Sequence, residues 1–147
     1  MNGFTLEQAN QIIVNALKKG EEMGFHPLTV VVLDGGGHMK AMQRQDKSSI
    51  SRREIAEGKA YSTLAMGFGG RELQRRASKM SPLFFSALSD ATGGRMIPVP
   101  GGVLVRDENG DIVGAVGISG DLSENDEICA VAGITAANLI PDTGDPV

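Results

Sequence analysis

The chain has 147 residues, of which 41% are hydrophobic and 22% charged, a balance that suits one domain with its own core. Its net charge of −4 leaves no cationic surplus for a nucleic-acid backbone, and no apolar run approaches the roughly 20 residues of a membrane span. The 20 glycines follow no repeat period, which excludes collagen-like and solenoid chains, and the lone Cys129 excludes an internal disulfide.

The first predicted element is a helix. Thr5 and Gln8 have the spacing of a capping box, in which the hydroxyl and the amide each satisfy a free backbone N–H. Leu6, Ala9, Ile12, Ile13, Ala16 and Leu17 then recur at helical spacing, and Gly24 is the expected stop. Leu28–Leu33, "LTVVVL", is short, apolar and β-branched, and reads as a strand buried on both faces. Asp34 and Gly35–Gly37 turn it into a second strand, Met39–Arg44, to make a hairpin.

A helix over 51–66 carries small residues, Ala56, Ala60 and Thr63, on the side expected to lie close to a sheet. Gly67, Gly69 and Gly70 interrupt it before a basic helix with Arg71, Arg75, Arg76 and Lys79, read as a solvated face. Ser81-Pro82 opens another helix, expected to pack through Phe84, Phe85 and Leu88. "MIPVPGG" leads into a second hairpin turned at Asn109-Gly110. The final helix is expected to be capped by Ser123, with Ile128, Val131, Ala132, Thr135 and Leu139 as its buried stripe. Pro141 onwards reads as a loose tail.

Hairpins imply antiparallel pairing, and strands buried on both faces imply helices above and below. The expected fold is therefore α/β of the α+β type: a three-layer, profilin-like α-β-α sandwich around a roughly five-stranded antiparallel sheet. No linker divides residues 1–147, so a single domain with an ordered core of about 4–140 is expected.

The chemistry-bearing candidates are few. His38 follows the glycine turn, where an imidazole can serve as a rim hydrogen-bonding group, a metal or haem ligand, or a proton carrier. His26 and His38, without a cysteine or carboxylate cluster, make no zinc pattern. Gly36 and Gly37 satisfy turn geometry or border a ligand. Lys59 is either solvated or turned towards a site where burial would lower its pKa. Gly101 and Gly102 present unhindered amides that can hold a carboxylate or an oxyanion, or they make a bend. Asp126 reads first as a helix-start carboxylate and second as a substrate contact. Tyr61 and Cys129 can bind haem iron, although both read as helix fillers.

Taken in order, "VVVLDGGGHMKAMQR", "EGKAYSTLAMGF", "IPVPGGVLV", "GAVGISGD" and "DEICAVAG" resemble the GlcG/HbpS family, which includes the C-terminal domain of PduO-type cobalamin adenosyltransferases. The resemblance runs from about Leu6 to Asn138. It implies an α-β-α fold, a homo-oligomer that is often an octamer, and haem binding in some members. The matching positions are Asp34, Gly36, Gly37, His38, Lys59, Gly101, Gly102, Gly117, Ser119, Gly120 and Asp126. Members often carry proline where Leu104 stands and glycine where Asp121 stands.

The expected function is binding of a small molecule, haem or a related tetrapyrrole, by an oligomer. His38 is the candidate contact and haem-iron ligand, and Lys59 the partner of a propionate. Gly36, Gly37, Gly101, Gly102 and Asp126 complete the expected ligand site, with His38, Lys59 and the Gly101–Gly102 amides sharing one cavity, within one chain or across subunits. The rival is an isomerase, hydratase or lyase acting on a small organic acid, with Lys59 or His38 moving the proton. Neither nucleic acid nor a membrane is expected as a partner. Met1–Glu7 lacks the basic start and apolar stretch of a secretory signal, so a cytoplasmic location is expected.

Overall fold

The computed structural model describes residues 4–145. In chain order the elements are α1 (Leu6–Met23), β1 (Thr29–Asp34), β2 (Met39–Arg44), α2 (Arg52–Met66), α3 (Gly70–Lys79), α4 (Pro82–Ala91), β3 (Gly102–Arg106), β4 (Ile112–Ser119), α5 (Ser123–Ala136) and β5 (Ile140–Asp142). The five strands form one antiparallel sheet in the order β2-β1-β4-β3-β5. Among the described residues no helix is long and apolar enough to cross a membrane.

Successive side chains of a strand point to opposite faces, and β1 uses both. Val30 and Val32 join Val103, Val105, Val116 and Ile118 beneath α1 and α5, which contribute Ile12, Ile13, Ala16, Ala130 and Ile134. Val31 and Leu33 face the other way, with Leu104 and Ala115, against Ala56 and Ala60 of α2. The continuous apolar run thus has helices on both sides, and the three layers follow from it. α2 lies almost on the sheet because two strand positions lack side chains. A Cβ on Gly117 would overlap the Ala56 carbonyl oxygen, and one on Gly102 would overlap that of Lys59.

The start of α1 is as expected. Thr5 Oγ1 accepts from the Gln8 amide at 3.1 Å, Gln8 Oε1 accepts from the Thr5 amide at 3.0 Å, and Gly24 closes the helix at φ +71°. Four expectations need correction. Pro141 is not in a loose tail: Ile140–Asp142 pairs with β3 and covers that edge of the sheet. Ser123 does not cap α5; Leu122 holds the cap position without a side-chain bond. The buried side of α5 is Asp126, Glu127, Cys129, Ala130, Gly133 and Ile134, whereas Ile128 and Thr135 face outwards. Gly133 sets this orientation, since a Cβ there would overlap the Ile12 carbonyl oxygen of α1. Finally, α4 packs only in part: Phe85 and Leu88 are half-buried, no residue of the helix is fully buried, and Leu83 and Phe84 are 83% and 55% exposed.

Candidate functional site

The β1–β2 turn is organised by one carboxylate. Asp34 Oδ1 accepts from the backbone amides of Gly36 (2.9 Å) and His38 (3.1 Å), while the Asp34 carbonyl accepts from Gly37 N at 2.9 Å. Burial pushes the Asp34 carboxyl upward, but the two amides and the neighbouring imidazole outweigh it and hold the group below its ordinary value. His38 Nδ1 lies 3.4 Å from Asp34 Oδ1, and its side chain is 83% exposed. Nε2 has no hydrogen bond to any described residue. A Cβ on Gly36 would stand 3.0 Å from His38 Nδ1, so the missing side chain leaves the ring its place. Gly37, at φ +84°, makes the turn itself.

Behind this turn stands Tyr61 of α2. A Cβ on Gly37 would lie 3.7 Å from Tyr61 Cδ2, so the turn runs against the edge of the ring. Arg95 covers the ring, its guanidinium carbon 3.7 Å from the centroid. Sequence reasoning read Tyr61 as a filler and passed over Arg95. The Gly93-Gly94 pair, at φ +69° and +75°, was the available signal, because it swings the chain back after α4.

Lys59 and Asp126 lie elsewhere, inside the protein. Lys59 Nζ donates to the Ile118 carbonyl at 2.9 Å and to Asp126 Oδ2 at 3.1 Å, and the two side chains are 4% and 1% exposed. Asp126 Oδ1 accepts from the Asp121 amide at 3.0 Å. Burial holds the Asp126 carboxyl above its ordinary value despite the opposing pull of the Lys59 charge. Gly101, at φ +106°, passes so close that a Cβ would stand 2.9 Å from Lys59 Nζ, and its carbonyl accepts from Ile118 N. The pair therefore ties α2 to α5 around the end of β4, with both Lys59 bonds directed inward.

The sheet register separates the two groups. Asp34 pairs with Gly114 and Val30 with Ile118, and four residue steps at about 3.3 Å each amount to roughly 13 Å along β4. Lys59, Gly101, Gly102 and Asp126 converge; His38, Gly36 and Gly37 converge at the other end. The single cavity expected for both sets does not exist within one chain, because α2 runs alongside β4 and presents Tyr61, not Lys59, to the glycine turn.

The remaining candidates pair internally or are sealed. Arg71 bonds Glu127 (2.8 and 2.9 Å), Arg75 bonds Glu72 and Asp145, and Arg76 bonds Glu72 while lying over Phe68, so the three arginines of the basic helix have carboxylate partners, while Arg75, Arg76 and Lys79 face solvent as expected. Burial, then the charges of Asp126 and Asp121, pushes the Cys129 thiol up to about 12, which denies it the thiolate form that ligates metal. Among the described residues no group of three or more His, Cys, Asp or Glu could hold a metal ion.

An antiparallel α-β-α sandwich, with a histidine turn at one end of its central strands and a buried lysine–aspartate pair at the other, is the class this chain represents. Residues 4–135 match the family described as "Haem degrading protein HbpS-like", and the chain belongs to that family. A Citrobacter freundii relative, described as an uncharacterized 15.0 kDa protein in the dhaT-dhaS intergenic region, is 32% identical over 127 residues, covering 86% of this chain and 87% of that one. The crystal structure of the PduOC–heme complex has the same fold, with a TM-score of 0.83 at 23% identity over 98% of this chain and 100% of that chain. The crystal structure of HbpS gives a TM-score of 0.78 at 27% identity over 92% and 90% of the two chains.

Proposed function

We propose that this protein binds haem or a related tetrapyrrole at the β1–β2 turn, with His38 as the iron ligand, and that it does so as a homo-oligomer. The observation that carries the reading is the state of His38: an exposed imidazole whose Nδ1 faces the Asp34 carboxylate while Nε2 is unengaged. A carboxylate behind one ring nitrogen fixes the orientation of a ligating histidine. The family's description and the bound heme of one structural neighbour support the same ligand. Haem, when bound, would supply an iron centre that Nε2 can ligate.

Within this reading the residues divide by task. Gly36 and Gly37 shape the turn and leave room for the ring, and Tyr61 backs it. Lys59, Gly101, Gly102 and Asp126 hold the layers together, and the ligand's carboxylates need a cation other than Lys59. The exposed apolar residues Leu83 and Phe84 of α4 are the surface through which copies of the chain would associate, an octamer being the expected size.

Titration with haemin, followed by the Soret band, tests the ligand. The wild type should shift the band, and His38→Ala, an exposed position that the fold does not need, should abolish the shift. A wild type that leaves the band unmoved, or a variant that matches the wild type, overturns the assignment.

A further inference from the structure

We infer that Arg95 is the carboxylate anchor of the His38 site, holding the rim acid of the bound macrocycle. The inference rests on the tetrapyrrole reading above and adds the group that recognises the ligand's acid side chains. Three observations carry it.

First, Arg95 is next to the turn. Its guanidinium lies on the Tyr61 ring, 3.7 Å from the centroid, and the edge of that ring meets the backbone at Gly37, the residue before His38. One aromatic ring therefore separates the cation from the histidine turn. A macrocycle ligated at its centre carries its carboxylates at its rim, so anchor and ligand group belong at neighbouring rather than identical places.

Second, the guanidinium is oriented yet unspent. Arg95 Nε donates to the Thr92 carbonyl at 3.0 Å, and Gly93 and Gly94 turn the chain so that the side chain folds back over Tyr61. Its Nη1 and Nη2 groups donate to no described residue. Arg71, Arg75, Arg76 and Arg106 instead bond carboxylates of their own chain, and Arg53 lies at 3.3–3.5 Å from Glu54 and Glu57. Stacking on an aromatic face leaves the planar fork free to meet a carboxylate with two parallel bonds, the geometry in which arginine binds such groups most strongly.

Third, the lysine that sequence reasoning assigned to this task is committed elsewhere. Lys59 is buried against Asp126, about four strand residues from the turn.

The test compares haemin with its dimethyl ester, which keeps the iron and loses both carboxylate charges. Arg95→Gln should weaken haemin binding roughly tenfold, the loss of a charge-assisted hydrogen bond, while leaving the Soret position that reports His38 ligation unchanged. The ester should bind wild type and Arg95→Gln alike, and Arg95→Lys should recover part of the haemin affinity. Equal haemin affinities for wild type and Arg95→Gln, with the His38-dependent shift intact, overturn the anchor and leave the tetrapyrrole reading standing. A wild type that shifts neither compound overturns both. An Arg95→Gln variant that weakens haemin and ester equally also overturns the anchor, since its contribution would then not be to the carboxylates.

Discussion

Lys59 and Asp126 carry opposite charges into a place that water barely reaches. Removing one partner from such a pair leaves the other buried without compensation, which typically costs about 3–5 kcal/mol, whereas removing both costs far less. Lys59→Met and Asp126→Asn should each lower the unfolding free energy by an amount of that order, and the double variant should lose clearly less than the sum. Urea unfolding at neutral pH measures all three; single losses below about 1 kcal/mol would show that the pair does not bind the layers. The pH dependence follows from Asp126. Its carboxyl is raised in the folded state, chiefly by burial, so its contribution to stability is fully present below the unfolded value of 3.8 and is lost as pH rises through the higher folded value. Asp126→Asn removes that dependence. His38 and Arg95 are the contrasting case, exposed groups whose substitution should change binding with little effect on folding.

Elements whose residues repeat on a helical or two-residue period were readable from the chain alone, and those set by close backbone approach were not. The "LTVVVL" run announced a strand with partners on both faces, and it has them. The outward turn of Ile128 and Thr135 was hidden, because Gly133 and Ala130 decide how α5 meets α1, and small residues give no signal on a hydrophobic pattern. The strand at Ile140–Asp142 was hidden too: three residues beginning next to a proline show no alternation, and only an open edge on β3 recruits them. The glycines of β3 and β4 have the same character. Gly117→Ala would drive a methyl group into the Ala56 carbonyl of α2, an overpacking that should cost at least about 1–3 kcal/mol. A thermal midpoint unchanged from the wild type would mean that α2 lies further from the sheet than described.

For the whole molecule, the three layers were legible and the arrangement of the site was not. His38, Lys59 and the paired glycines are each visible as residues able to do chemistry, but their distance apart is a property of strand register, which no local pattern states. Arg95 escaped notice because its value comes from Tyr61, distant in the sequence and brought to it by packing. Assembly belongs to this scale as well. α4 presents Leu83 and Phe84 to solvent while burying no residue fully, and light scattering of the purified protein should report a closed multiple of the 15.4 kDa chain, with Leu83→Asp and Phe84→Asp together reducing it. A monomeric wild type would overturn the oligomer.

The packing of α1 against α5 also dictates an order of events during synthesis. Ile12, Ile13 and Ala16 share one core with the sheet and with Ala130 and Ile134 of α5, so their cover is complete only when α5 is in place. At about 5–20 residues per second, the roughly one hundred residues between the two helices leave the ribosome over several seconds. For that interval the side of the first helix that α5 will cover stays bare, so a nascent chain stalled before Ser123 is the form of this protein that chaperones and proteases should seize upon.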